Sequence, residues 1–219
     1  MMNSIITPGG CKRDLRPIKL PRPRFDRGTS VAGAMRQRRT IREIREKNLS
    51  PQLLSNLLWA ACGINRKKGP FGIAGRTAAS ASNSQEIDIY VVLQEGTYLY
   101  DAVRHGLMPV VAGDLRPLAI GKGQAALAAK APVHLMYVAD VDRLANTSGY
   151  REPGLRDPEV QKSYYFVDTG LIAGNVYLFA ASQGLASWFH NCNKSGLAAK
   201  LKLRAGQRVL FGQTVGYPA

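Results

Sequence analysis

Residues 132–139, Pro-Val-His-Leu-Met-Tyr-Val-Ala, constrain the fold more than any other stretch of this chain. A strand with one wet face alternates apolar with polar residues, whereas this run is apolar at both parities, so it predicts a strand buried on both faces. Such a strand needs covering layers, and the sequence offers them. From about residue 157 to 182, Val160, Tyr164, Val167, Leu171, Leu178 and Ala181 recur at helical spacings with Gly184 as the C-cap, which predicts one long helix. Ser50-Pro51 predicts a second helix start, because serine caps the free N–H groups and proline already has the φ of a first turn. Leu53, Leu54, Leu57, Leu58 and Ala61 give that helix an apolar stripe, and Gly63 closes it.

A third helix begins after Ser30, with Val31, Ala34, Met35 and Arg38 on one face, and short helices are expected over residues 121–130 and from Ser195. Residues 87–94 and 97–101, joined through Glu95-Gly96, predict a β-hairpin, and further strands are expected near 186–190 and 208–215. Helices and strands mix without strict βαβ alternation, so the expected class is α+β rather than doubly wound. Residues 1–28, with Pro8, Pro17, Pro21 and Pro23, cannot carry a continuous helix and read as an extended basic arm, which leaves residues 29–219 as the domain.

The charge is unusual. Thirty Lys and Arg face fifteen Asp and Glu, a formal net charge of +15 in 219 residues. Residues 1–50 hold thirteen of the basic residues and four of the acids, so nine of those net charges sit near the N-terminus. Nucleic acid is therefore one partner to weigh, and steering toward any anionic ligand is another. No RNA-recognition pattern, helix-turn-helix or zinc finger accompanies the charge, and the aromatics are not interleaved with it, so nucleic acid is the less favoured reading. No run reaches the roughly 18 apolar residues of a membrane span, and no apolar stretch after Met1 suggests a secretory signal, so a cytoplasmic protein is expected. The three cysteines and three histidines are scattered without metal-ligand spacing, and no metal is expected.

P-loop, GxGxxG and GxSxG patterns are all missing, which removes the usual starting points for a nucleotide site of those kinds or a hydrolase triad. Two other clusters stand out. Arg38-Arg39-Thr40-Ile41-Arg42 could chelate a terminal phosphate through charge-assisted bonds, or be simply a solvated basic face. Ser80-Ala81-Ser82-Asn83-Ser84-Gln85 presents donors and acceptors suited to a planar heterocycle, or is simply a polar loop.

Taken with the helix at 49–61, Gly75-Arg76-Thr77, Asp168-Thr169-Gly170, Asn175, Gly184-Leu185 and Val215-Gly216-Tyr217-Pro218, these clusters resemble the nitroreductase-like flavin proteins. The resemblance covers residues 30–218 and leans toward the branch containing azoline oxidases of modified peptides. It implies an α+β homodimer with FMN at the subunit interface and a mainly antiparallel sheet flanked by helices. By position, Arg38, Arg39, Thr40 and Arg42 are implied to hold the phosphate and ribityl chain. Ser80, Ala81, Ser82, Asn83 and Gln85 are implied to line the isoalloxazine from the opposite subunit, with Gln124 at its pyrimidine edge and residues 188–192 near N5. The implied activity is ping-pong hydride transfer from NADH or NADPH through flavin N5 to an electron-poor small-molecule acceptor such as a nitroaromatic or quinone. A substrate-specific FMN dehydrogenase of the azoline-oxidase kind is the alternative, and a basic nucleic-acid-binding protein the second. No acid, base or nucleophile is assigned, because the flavin carries the chemistry.

Overall fold

The computed structural model describes residues 14–25, 28–124, 130–148 and 156–219. Its centre is a seven-stranded sheet in the order β1-β6-β5-β4-β7-β9-β8, and every pairing is antiparallel. The strands are β1 (Ile18–Lys19), β4 (Ile87–Val92), β5 (Gly96–Asp101), β6 (Gly106–Ala112), β7 (Val133–Asp140), β8 (Ala186–His190) and β9 (Gln207–Gly216). A small hairpin of β2 (Ile64–Arg66) and β3 (Gly75–Arg76) stands apart. The helices are α1 (Val31–Gln37), α2 (Pro51–Cys62), α3 (Arg116–Ala119), α4 (Val141–Ala145), α5 (Pro158–Ser182) and α6 (Lys194–Leu201).

All eight residues of β7 are buried, as the run at 132–139 predicts for both faces, and the burial includes His134 and extends to Asp140. One face of the sheet, with Ile87, Ile89, Val91, Leu135, Tyr137 and Val215, packs on α2 and α5. The opposite face, with Tyr90, Val92, Met136, Val138 and Val209, packs on α3 and α6. Each fully buried aliphatic side chain there contributes about 1.5–3 kcal/mol relative to exposure. The predicted caps hold. Ser50 accepts the N–H of Leu53, and the end of α5 is closed by Leu185 N–H to Ala180 O at 2.8 Å and Gly184 N–H to Ala181 O at 3.3 Å. Gly184 makes this possible with a φ of +66°, a left-handed turn that costs glycine no Cβ clash.

The described part of the N-terminal arm lies on the domain. β1 pairs with β6, Ser55 donates to the Pro21 carbonyl at 2.6 Å, and the Asn56 side chain brackets the Arg24 backbone at 2.9 and 2.6 Å. Phe25 packs on Trp59 with ring centroids 4.5 Å apart. Of the helix expected over residues 121–130, the described portion is a 3-10 turn at Lys122–Gln124, and residues 125–129 lie outside the described residues.

Candidate functional site

α5 is the axis of the site. It is the longest helix, and both clusters singled out in the sequence are tied to it at different heights. The basic segment leaves α1 at Arg38 and docks against the edge of β8, where Ile41 N–H donates to the Ser187 carbonyl at 3.1 Å. Tyr177 of α5 fixes it from the side. Its hydroxyl accepts the Phe189 N–H at 2.9 Å and lies 3.2 Å from the Thr40 hydroxyl, so one phenol ties the segment to β8. Arg38 stacks 5.4 Å over the Tyr177 ring and Arg42 5.7 Å over the Trp188 ring. Arg38, Arg39 and Arg42 are all exposed, and among the described residues no carboxylate pairs with any of them. Three unpaired guanidiniums beside a hydroxyl form a donor set suited to a phosphate.

The loop at residues 80–85 meets α5 nine residues earlier, at Asp168, whose carboxylate accepts the Ala81 N–H at 2.9 Å. Ser82, Asn83 and Gln85 all have positive φ, at 48°, 55° and 52°. Backbone of this kind costs on the order of 1–3 kcal/mol per residue and persists only where the surroundings over-determine it. Here they do. The Gln85 amide accepts from Arg76 Nε at 2.6 Å and donates to the Ala74 carbonyl at 2.7 Å and to Asn83 Oδ1 at 2.8 Å. Asn83 in turn donates to the carbonyls of Pro70 and Ile73, and the Gln85 N–H donates to Ser80 Oγ at 3.0 Å. Of the side chains expected to face a ring, those of Asn83 and Gln85 therefore brace the loop, while the half-buried Ser82 hydroxyl makes no hydrogen bond among the described residues.

Gln124 stands exposed in its 3-10 turn, its N–H bonded to the Gly121 carbonyl at 2.9 Å. Within one chain the basic segment and the 80–85 loop are not one cluster, because their anchors Tyr177 and Asp168 are separated by about 13–14 Å of helix rise. Near these anchors α5 presents Phe166, Val167 and Leu171 to the exterior, and α1 adds Val31 and Met35, which are 68% and 61% exposed. Cys192 is buried, and burial pushes its thiol up to about 11, so it carries little thiolate at neutral pH. Among the described residues no group of three or more His, Cys, Asp or Glu is placed to hold a metal ion, and no helix is long and apolar enough to cross a membrane.

Sequence reasoning missed Tyr177, which carries no motif of its own, and the acid pair Glu86 and Asp168 beneath the loop. Glu86 is fully buried and Asp168 nearly so. Burial and the Glu86 charge push Asp168 up to about 7, against the pull of the Ala81 N–H. Asp168 was legible only as part of Asp-Thr-Gly, without a role.

The model of the nitroreductase family matches residues 35–217. The chain belongs to the nitroreductase family. Membership places it among oxidoreductases of the nitroreductase type and bears out the α+β fold that the sequence suggested. A protein of Methanocaldococcus jannaschii named as a nitroreductase is 30% identical over 158 residues, covering 69% of this chain and 73% of that one. A crystal structure from Ralstonia eutropha JMP134, also assigned to the nitroreductases, superposes with a TM-score of 0.80 at 34% identity, covering 96% of this chain and 92% of that one. At lower identity the likeness is one of fold. The microcin synthetase McbBCD complex of Escherichia coli contains a chain with TM-score 0.65 at 18% identity, covering 100% of this chain and 76% of that one. An NADPH:FMN oxidoreductase of Vibrio harveyi, crystallised with NAD+, gives 0.58 at 19%, covering 86% of this chain and 68% of that one.

Proposed function

We propose that this nitroreductase-family chain is an FMN-dependent oxidoreductase that works as a homodimer. The observation that carries the reading is the trio Arg38, Arg39 and Arg42, unpaired among the described residues, beside Thr40 on a segment that Tyr177 ties to β8. These residues fit a flavin phosphate in charge, in donor type and in access. The loop of Ser80, Ala81, Ser82, Asn83 and Gln85 would face the isoalloxazine through its backbone and the Ser82 hydroxyl, with the Asn83 and Gln85 amides bracing it from behind and Gln124 at the pyrimidine edge. Bound there, FMN would supply two-electron transfer between a reduced nicotinamide nucleotide, NADH or NADPH, and an electron-poor small-molecule acceptor of the nitroaromatic or quinone type.

The chain's own residues then have distinct tasks. The arginines orient the phosphate and set the register of the ring. The strained loop, braced through Asn83 and Gln85, presents fixed polar groups without reorganising, which is the form of electrostatic support that costs least at the moment of reaction. A second subunit would bring its 80–85 loop to the basic segment of the first, which accounts for two clusters lying apart in one chain and for exposed apolar residues near them on α5 and α1. Titration of the purified, flavin-stripped protein with FMN tests the reading. Saturable binding of one FMN per chain, followed by bleaching on addition of NADH or NADPH, supports it, and no binding refutes it.

A second reading keeps the FMN and reverses the chemistry, as an azoline-oxidase-like dehydrogenase acting on a specific small molecule or peptide. The fold likeness to a chain of the microcin synthetase complex across the whole of this chain favours keeping it. Reduction of bound FMN by a nicotinamide nucleotide at catalytic rates distinguishes the two, since the second reading does not need it.

A further inference from the structure

The 80–85 loop is gripped from beneath by two acids, Glu86 directly after the loop and Asp168 on α5. Ser84 Oγ donates to Glu86 Oε2, and Ala81 N–H donates to Asp168 Oδ2 at 2.9 Å. Glu86 Oε1 is buried and finds no hydrogen-bond donor among the described residues, and the Glu86 carboxyl is close enough to Asp168 to raise it. Two carboxylates cannot donate to each other, whereas one proton between them supplies the missing donor. An orphaned buried acceptor is costly, and a proton shared with Asp168 satisfies it.

The neighbouring charges do not take that role. Arg76 of β3 is committed to Gln85 and the Cys62 carbonyl. Arg143 of α4 is committed to Asp88, Asp140 and the Gln85 carbonyl. Among the described residues no cation forms an ion pair with Glu86 or Asp168. Cys62 of α2 is raised by burial and remains a neutral thiol. Asp88 of β4 is paired with Arg143. A narrow cavity lined by Cys62, Arg76, Ser80, Gln85 and Asp168 separates Asp168 from part of the loop.

We propose that Glu86 and Asp168 share one proton, and that this proton holds the 80–85 loop in its flavin-binding form, which makes the two acids positioning residues for the cofactor. The inference rests on the flavin reading above. Losing the proton places two negative charges in a buried site, and they repel beneath a loop whose left-handed residues need every brace. Covering the loop with a ring removes water and makes the second charge costlier still, so the bound form keeps its proton to higher pH than the free form. Burial and the Glu86 charge hold Asp168 well above the usual carboxylate range, which brings the effect toward neutral and alkaline pH. The FMN dissociation constant therefore rises with pH above neutrality, by at most about tenfold per pH unit for one linked proton.

The test is fluorescence titration of the flavin-stripped full chain with FMN from pH 7 to 9, above the second ionisation of a phosphate monoester at about 6. Proton uptake on binding at pH 8 is measured beside it with an indicator dye in weak buffer. For the wild type, the expectation is a dissociation constant at least tenfold weaker at pH 9 than at pH 7, with a substantial fraction of a proton taken up per FMN bound. Asp168→Asn keeps an acceptor for the Ala81 N–H and offers an amide N–H to Glu86, yet does not titrate. Its profile is expected to be flat within twofold, without proton uptake. Glu86→Gln is expected to behave alike and serves if the first variant does not fold. A flat wild-type profile without proton uptake overturns the proposal, as does a wild-type slope retained in both variants. In those cases FMN still binds and the flavin reading stands. Failure to bind FMN at any pH removes both.

Discussion

Removing the guanidinium of Arg39 should weaken FMN and leave riboflavin, which lacks the phosphate, untouched. Arg39 is the cleanest of the three arginines to remove, since Arg38 and Arg42 also stack on Tyr177 and Trp188 at 5.4 and 5.7 Å while Arg39 lies over no ring among the described residues. A hydrogen bond to a charged group is worth about 1.5–3 kcal/mol, and the exposure of this segment puts the value at the lower end. Arg39→Ala should therefore cost about 1.5 kcal/mol in FMN binding, on the order of a tenfold rise in dissociation constant. Arg42→Ala should cost as much or somewhat more, because it also gives up a stacking contact that supports Trp188. Arg39→Lys should recover part of the loss, since an ammonium keeps the charge but not the two-pronged geometry. The assay is quenching of flavin fluorescence in parallel titrations with FMN and riboflavin, at low and physiological salt. The difference between the two ligands isolates the phosphate from any general damage to the fold. Equal losses for both flavins in Arg39→Ala, or no loss for either, would refute the assignment of this segment to the phosphate.

Val167→Asp places a charge on the exposed apolar face of α5, where Val167 is 59% exposed, so it should leave the folded chain intact, yield a monomer by light scattering and abolish FMN retention. Gly212→Ala should destabilise by about 1–3 kcal/mol in urea unfolding, because the new Cβ would lie 2.7 Å from His190 Cε1 and 3.1 Å from the Ala119 backbone oxygen. His134 is buried, and burial with the His190 and Arg116 charges lowers it to about 3. Its unfolded value is 6.5, so between those limits the unfolded state binds the extra proton and stability falls as pH falls, by at most about 1.4 kcal/mol per unit. His134→Leu should remove that slope from the acid limb of a denaturation series. Asp168 acts with the opposite sign. Its folded value is raised from 3.8 to about 7, so the folded state holds the extra proton in that window, stability falls as pH rises through it, and Asp168→Asn should remove that component.

Much of this fold can be read from the sequence wherever one local signal coincides with one tertiary demand. The apolar run of β7, the stripe of α2 behind its Ser-Pro start, and the length of α5 up to Gly184 are of that kind. β6 escaped because Pro109 interrupts it. Pro109 sits opposite Tyr98 beside a register shift, the sort of place where a strand tolerates the loss of an N–H. β1, β2 and β3, of two or three residues, are too short to show a period, and only their partners make them strands. Both candidate clusters were visible as unusual text, but what fixes them was not. Tyr177 reaches Thr40 across 137 positions and Asp168 reaches Ala81 across 87, and such contacts leave no local pattern. Nor does the sequence show that Asn83 and Gln85 spend their amides on bracing the loop, which follows from the left-handed backbone around them.

The absorption spectrum of the purified full chain, before and after incubation with FMN and removal of the excess, bears most directly on the central claim. Flavin bands that survive gel filtration at one FMN per chain, with FMN identified after heat release, are the predicted result. A colourless protein that retains no added FMN would contradict the account and turn attention to its basic N-terminal region as the functional surface.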